Sequence, residues 1–278
     1  MRFGAHIGTR GGLRAADPTV IVEARAVGAE VAQVFLSSPR AWAPPDPELA
    51  ARFGEGWRAA GIGPLYVHAP YLVNIASPTP EVHERSRELA LATVRACEAA
   101  GAAAFVVHAG SGGRDDPDAA RARAVATLRE LVAVARTTRV LVELMAGTAG
   151  AVASTLPEAR RLLEEVGDDR LGLCLDTCHL FAAGYALDEP DGVEACFAEL
   201  HRLGLADRLG LVHANDAKHP RGSRRDRHER IGEGHIGIEG FFELLHRPEL
   251  AELDLVLETP ADREQRAREL ATLRRLAS

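Results

Sequence analysis

Lysine is almost missing from this chain: Lys218 is the only one among 33 basic residues, and the rest are arginine. Arginine-biased codon usage accounts for most of that skew, yet a compact ammonium with freely rotating donors does not exchange for a planar guanidinium without a change of geometry. Lys218 is therefore a candidate for phosphate contact or for a catalytically placed residue. Cysteine is also sparse, and Cys97, Cys174, Cys178 and Cys196 form no CxxC pair. That excludes a disulfide framework and fits a reduced, cytoplasmic protein. No stretch is long and apolar enough to span a membrane, and the N-terminus lacks the charged and apolar regions of a signal peptide, so no membrane partner is expected. The net charge of -7 excludes a uniformly basic nucleic-acid binder and leaves room for a local basic patch. Linkers and low-complexity tracts are lacking too, which favours one domain over residues 1–278.

What is present is a series of apolar runs that each end on a metal-binding side chain. They read Leu65-Tyr66-Val67-His68, Phe105-Val106-Val107-His108, Val140-Leu141-Val142-Glu143, Leu173-Cys174-Leu175-Asp176, Leu211-Val212-His213 and Leu255-Val256-Leu257-Glu258. Short runs of aliphatic and β-branched residues read as buried strands, so imidazoles and carboxylates are expected at strand ends. Around them strand and helix signals alternate. Strands are expected at Arg2–Ile7 and Val31–Leu36, then ending at His68, His108, Glu143, Asp176, His213 and Glu258. Helices are expected from Pro18, capped by Asp17, to about Gly28, and over Asp46–Ala60, Pro80–Ala100, Pro117–Arg136, Pro157–Val166, Val193–Leu203 and Asp262–Leu276. Eight βα units in sequence predict an α/β fold, a (β/α)8 TIM barrel whose strand ends converge on one mouth. The longest loop, about Asn215 to Gly237, follows the seventh strand on that face, and such a long loop is usually functional.

The candidate ligands are His68, His108, Glu143, Asp176, His179, His213, Asp226, His228 and Glu258. Singly, each has an ordinary explanation as a core histidine, a helix cap or an ion-pair partner. Gathered in one mouth, so many titratable groups are costly without cations to neutralise them. They exceed what one ion needs, and a shared carboxylate accommodates two or three ions. Imidazole and carboxylate favour zinc or manganese; Cys178 lies close by but reads as a small buried hydrophobe. Adjacent divalent ions suit phosphoester cleavage, because they generate hydroxide at neutral pH and stabilise the attacking and leaving oxygens.

Three motifs then become recognisable. The segments from Leu65 to Asn74 and from Cys174 to His179, together with Asp226-Arg227-His228-Glu229, resemble endonuclease IV, a family of DNA-repair apurinic/apyrimidinic endonucleases. The resemblance runs from Gly4-Ala5-His6-Ile7-Gly8 to Leu257-Glu258-Thr259. It implies a trinuclear zinc site in which His68, His108 and Glu143 hold one ion, Glu143 bridges to a second held by Asp176, His213 and Glu258, and His179, Asp226 and His228 hold a third. Glu143 and Glu258 are the implied catalytic carboxylates. The implied substrate is double-stranded DNA carrying abasic sites or blocked 3′ ends, and the implied state is a monomer acting at the nucleoid. Arg40 and Trp42, in Ser38-Pro39-Arg40-Ala41-Trp42, and Tyr71, Leu72 and Asn74 match DNA-recognition loops of that family. Arginine and apolar wedges are a known means of holding a minor groove, although Trp42 and Tyr71 also fit packing under a loop. The basic run from Lys218 to Arg230, which includes Arg227, is a further candidate for phosphate contact.

The chain departs from the family pattern where Leu144-Met145 replaces the usual Asn-Thr after the bridging glutamate, which removes two side-chain hydrogen-bonding groups. Ala41 is likewise small for its position. Two rival expectations follow: a sugar isomerase of the same barrel group, and a lesion-binding protein that kept its metals without turnover.

Overall fold

The computed structural model describes residues 1–9 and 18–278, so the expected cap Asp17 lies outside the described residues. Eight parallel strands close into a barrel in the order β1-β10-β7-β6-β5-β4-β3-β2. They are β1 (Arg2–His6), β2 (Val31–Val34), β3 (Leu65–His68), β4 (Ala104–His108), β5 (Arg139–Glu143), β6 (Gly172–Asp176), β7 (Leu209–His213) and β10 (Asp254–Leu257). Two short strands, β8 (Asp216–Ala217) and β9 (His228–Glu229), pair antiparallel outside the barrel. The helices are α1 (Pro18–Val27), α2 (Pro47–Ala59), α3 (Pro80–Ala100), α4 (Pro117–Val134), α5 (Leu156–Val166), α6 (Thr177–Ala183), α7 (Pro190–Arg202), α8 (Gly237–Leu245) and α9 (Arg263–Leu276). None of the described helices is long and apolar enough to cross a membrane.

The strand period of two explains the layering. Val31, Tyr66, Val106, Leu141, Cys174, Leu211 and Val256 form a small cluster inside the cylinder, while the alternate residues join the larger core beneath the helices. Helix boundaries follow local chemistry. Asp46 and Asp116 cap α2 and α4, Thr155 and Asp262 form capping boxes on α5 and α9, and α3 and α5 end on Gly101 and Gly167 in the left-handed region. Gly54 is required for another reason: a Cβ there would lie 1.9 Å from the Ala100 carbonyl oxygen where α2 crosses α3.

Several expectations shift. β2 stops at Val34 rather than Leu36, Asp46 caps α2 instead of belonging to it, α4 stops at Val134, and α7 begins at Pro190, three residues before Val193. Helices α6 and α8 were not foreseen. The first is a seven-residue helix that starts on the residue after a strand, and the second follows directly on the long loop. The opposite end of the barrel is closed by a polar knot, in which the Asp254 carboxylate accepts from Arg2 at 2.8 Å and from Tyr66 Oη at 2.7 Å.

Candidate metal centre

Each strand-end ligand lies two residues beyond a residue that fills the cylinder: Tyr66 and His68, Val106 and His108, Leu141 and Glu143, Cys174 and Asp176, Leu211 and His213, Val256 and Glu258. Period two therefore turns all six ligands into the lumen at its upper rim. The register aligns them further, with His108 beside Glu143 across β4 and β5 and Asp176 beside His213 across β6 and β7.

The nine candidates come together in three groups whose ligand atoms lie within 4.8 Å of one another: His68–His108–Glu143, Glu143–Asp176–His213–Glu258 and His179–Asp226–His228. Glu143 belongs to two of them because its oxygens diverge. Oε2 lies 3.0 Å from His68 Nε2 and 3.3 Å from His108 Nε2, whereas Oε1 lies 3.2 Å from His213 Nδ1. In the third group, Asp226 Oδ1 lies 3.2 Å from His179 Nε2 and 3.4 Å from His228 Nε2. Ligands about 2.0–2.2 Å from one tetrahedral ion stand roughly 3.3–3.6 Å apart, and the separations here, 3.0 to 3.4 Å, lie close to that spacing. The Nε2 atoms of His179 and His228 are buried without a hydrogen bond, as expected of lone pairs aimed at a metal.

The other ring nitrogens are held from behind. Nδ1 of His68 faces the Ala69 carbonyl at 2.7 Å, that of His179 the Leu144 carbonyl at 2.8 Å, and that of His228 the Glu258 carbonyl at 3.3 Å. The Leu144 contact bears on the departure noted above. The group orienting His179 is a main-chain carbonyl, and the Leu144 side chain is fully buried, so replacing asparagine by leucine leaves this support in place. Asn215 donates to Asp176 Oδ2 at 2.7 Å and accepts from the Glu258 amide at 2.7 Å.

Electrostatics agree with a cation-demanding site. Burial favours the neutral acid of Glu143, but His213 and His108 outweigh it and hold the carboxyl well below its usual range. Asp226, also raised by burial, is brought down to about 2, chiefly by the His179 ring beside it. Burial opposes charge on His228, yet Asp176 lifts the ring to about 9. In the absence of metal, protons supply the positive charge these carboxylates require. Cys178 Sγ is within ligand range of Asp176 and His228, but the thiol points to the Arg227 carbonyl at 3.6 Å. Burial pushes its pKa upward, away from the thiolate a metal needs.

The cavity above the ligands is about 270 Å³, and Tyr71 and Arg266 also line it. Tyr71 is 63% exposed and stands edge-on to Phe35. Arg40, Lys218 and Arg227 are exposed, while Leu72 is half-buried. Trp42 is not brought to the cavity. It packs against the core with the Arg85 guanidinium 4.5 Å above its ring. The Asn74 amide turns inward, donating to the Ser111 carbonyl and accepting from the Ser111 and Ala76 amides, so it shapes the loop that carries Tyr71.

The sequence reading passed over Gln33, His6, Asn215 and Arg266. Gln33 left a usable signal, since an amide inside the apolar run Val31-Ala32-Gln33-Val34 needs buried partners.

Residues 21–276 match the model of the xylose isomerase-like TIM barrel family. A probable endonuclease 4 from Streptomyces coelicolor is 39% identical over 281 residues, covering 98% of this chain and 94% of that protein. Another from Chloroflexus aurantiacus is 36% identical, covering 99% of this chain and 98% of that protein. The crystal structure of endonuclease IV from Thermus thermophilus superposes with a TM-score of 0.86 at 33% identity, covering 99% of this chain and 98% of that one.

Proposed function

The chain belongs to the endonuclease IV family of xylose isomerase-like barrels, and from that premise we propose that it is a metal-dependent apurinic/apyrimidinic endonuclease of DNA base-excision repair. It cuts the phosphodiester 5′ to an abasic site, leaves a 3′-hydroxyl and also trims blocked 3′ ends. His68, His108 and Glu143 would hold one ion, Glu143 with Asp176, His213 and Glu258 a second, and His179, Asp226 and His228 a third. Zinc is the proposed metal, with manganese acceptable at one or more sites. Bound divalent ions supply Lewis acidity and activate water at neutral pH.

The chain's own contribution is placement. Glu143 presents one oxygen to each of two neighbouring groups, and Glu258 closes the second of them beside His213 at 3.2 Å. Tyr71, at the mouth, is positioned to contact a nucleotide entering the cavity. Arg40, Lys218 and Arg227 are proposed to neutralise backbone phosphates, with Leu72 as an apolar contact beside Tyr71. Asn74 and Trp42 would support the recognition loops from within. We further propose that the protein works as a monomer in the cytoplasm, on nucleoid DNA.

The observation that carries this reading is the third group, His179–Asp226–His228, beside two that share Glu143. A sugar isomerase needs fewer ions and has no evident use for it. The test is a duplex carrying one abasic analogue, incubated with protein dialysed against chelator and then restored with zinc or manganese. A nick 5′ to the lesion, dependent on restored metal, is expected. Intact duplex with every metal, despite tight binding, would overturn the enzymatic reading in favour of a lesion binder.

A further inference from the structure

Resting on the metal reading above, we propose that Gln33 is a positioning residue: it holds His213 in the tautomer able to bind metal and fixes the Glu258 carboxylate beside it. Gln33 lies on β2 and is fully buried. The strand period turns it into the lumen two residues beyond Val31, in register with His6 of β1 and Tyr66 of β3.

Its hydrogen bonds determine the proton positions. Gln33 Nε2 lies 2.7 Å from Glu258 Oε1. An ionised carboxylate only accepts, so the amide nitrogen must face it, and this sets which way the amide is turned. Gln33 Oε1 then faces His213 Nε2 at 3.0 Å. A carbonyl oxygen also only accepts, so His213 must carry its proton on Nε2. On the neutral ring that binds metal, this leaves Nδ1 as the lone pair, and Nδ1 is the atom 3.2 Å from both Glu143 Oε1 and Glu258 Oε2. One amide thus engages Glu258 Oε1, leaves Oε2 toward the ion site and aims His213 Nδ1 at the same place. Gln33 Nε2 also lies 3.0 Å from His6 Nδ1, which keeps that ring against Glu258.

The other imidazoles differ. His68, His179 and His228 rest on main-chain carbonyls, which no substitution removes. His213 instead rests on a side chain that reaches across β1 and β10 from β2, so a single substitution can release its tautomer. Loss of such an outer partner typically weakens metal affinity by about 10–100-fold.

The test compares zinc-loaded parent with Gln33→Met, which keeps side-chain length and loses the contacts to Glu258, His213 and His6. In graded chelator competition the variant should release one ion equivalent at a chelator concentration about 10–100-fold lower than the parent, and hold the others as the parent does. At a chelator concentration that strips this ion from the variant but not from the parent, long-range ¹H–¹⁵N spectra of histidine-labelled protein should show His213 as the single Nε2–H tautomer in the parent and no longer as that single form in the variant. Equal zinc retention with an unchanged His213 signal in Gln33→Met would overturn the proposal alone. A parent that binds no zinc would overturn the metal reading along with it. Gln33→Leu takes the place of Gln33→Met in both measurements if that variant does not fold.

Discussion

His108 is the most exposed of the strand-end imidazoles, with 28% of its side chain accessible at the rim. It offers Nε2 to the Glu143 oxygen that His68 also faces. Removing its ring therefore takes away a ligand without opening the core. His108→Ala is expected to retain the parent's circular dichroism while abasic-site incision falls below about 1% of the parent rate. Equal rates would remove His108 from the metal set. Lys218 supports a prediction of another kind. It is exposed at the start of the basic loop, and its amide bonds to the Arg227 carbonyl, so the loop holds its backbone while the ammonium stays in solvent. Lys218→Ala should weaken DNA binding evenly across sequences and reduce the slope of log affinity against log salt by about one. An unchanged slope would leave the lone lysine as a product of codon usage.

The segment between β7 and α8 is the element on which the third group depends, since it carries both Asp226 and His228. Three attachments hold it. β8 pairs with β9, the Gly222 and Arg224 amides bond to the Phe181 and Ala182 carbonyls of α6, and the buried Asp216 carboxylate accepts from the amides of Ala217, Gly232, Gly234, Ile236 and Gly237. Gly234 permits this approach, because a Cβ there would lie 2.4 Å from Asp216 Oδ1. Leaving several buried amides without an acceptor is costly, at about 1–3 kcal/mol each where water cannot reach. Asp216→Ala should accordingly lower unfolding stability by at least about 2–3 kcal/mol in denaturant titration, and lose one ion equivalent before the other two in chelator competition. A variant that kept parental stability and metal content would show that β8–β9 and α6 suffice to hold the segment.

Across the whole molecule, the two ends of the barrel carry different burdens. The lower end is tied by Arg2, Tyr66 and Asp254, whose polar groups satisfy one another. The upper end concentrates carboxylates that are neutralised by protons when metal is absent. His228 sits at about 9 in the fold, above its ordinary value near 6.5, so its contribution is fully present below about pH 6.5 and is lost as pH rises through about 9. Asp226 sits at about 2, below its ordinary value of 3.8, so its contribution is present above about pH 4 and is lost as pH falls through about 2. The metal-free protein should therefore melt highest between about pH 4 and 6.5 and lose melting temperature toward pH 9. Zinc-loaded protein should not show that alkaline decline, because the ion replaces the proton. Parallel melting curves for the two forms from pH 6 to 9 would show that no such exchange takes place.

The residue pattern by itself determined the barrel and the list of candidate ligands, because both are local. Apolar runs of four or five residues specify strands, period two specifies which residues face inward, and a histidine or carboxylate at the end of each run specifies its height on the rim. Proline and aspartate likewise marked most helix starts. Only the closed barrel decided what those ligands do together. The division of Glu143 between two groups, the reach of Gln33 across two strands, the inward turn of Asn74 and the packing of Trp42 away from the cavity all depend on groups distant in the chain. Helices α6 and α8 escaped notice for a related reason: each is too short to announce itself by periodicity, and tertiary contacts stabilise it. Strand ends can be read one run at a time, whereas a shared carboxylate or a locked tautomer exists only once the first and last strands have met.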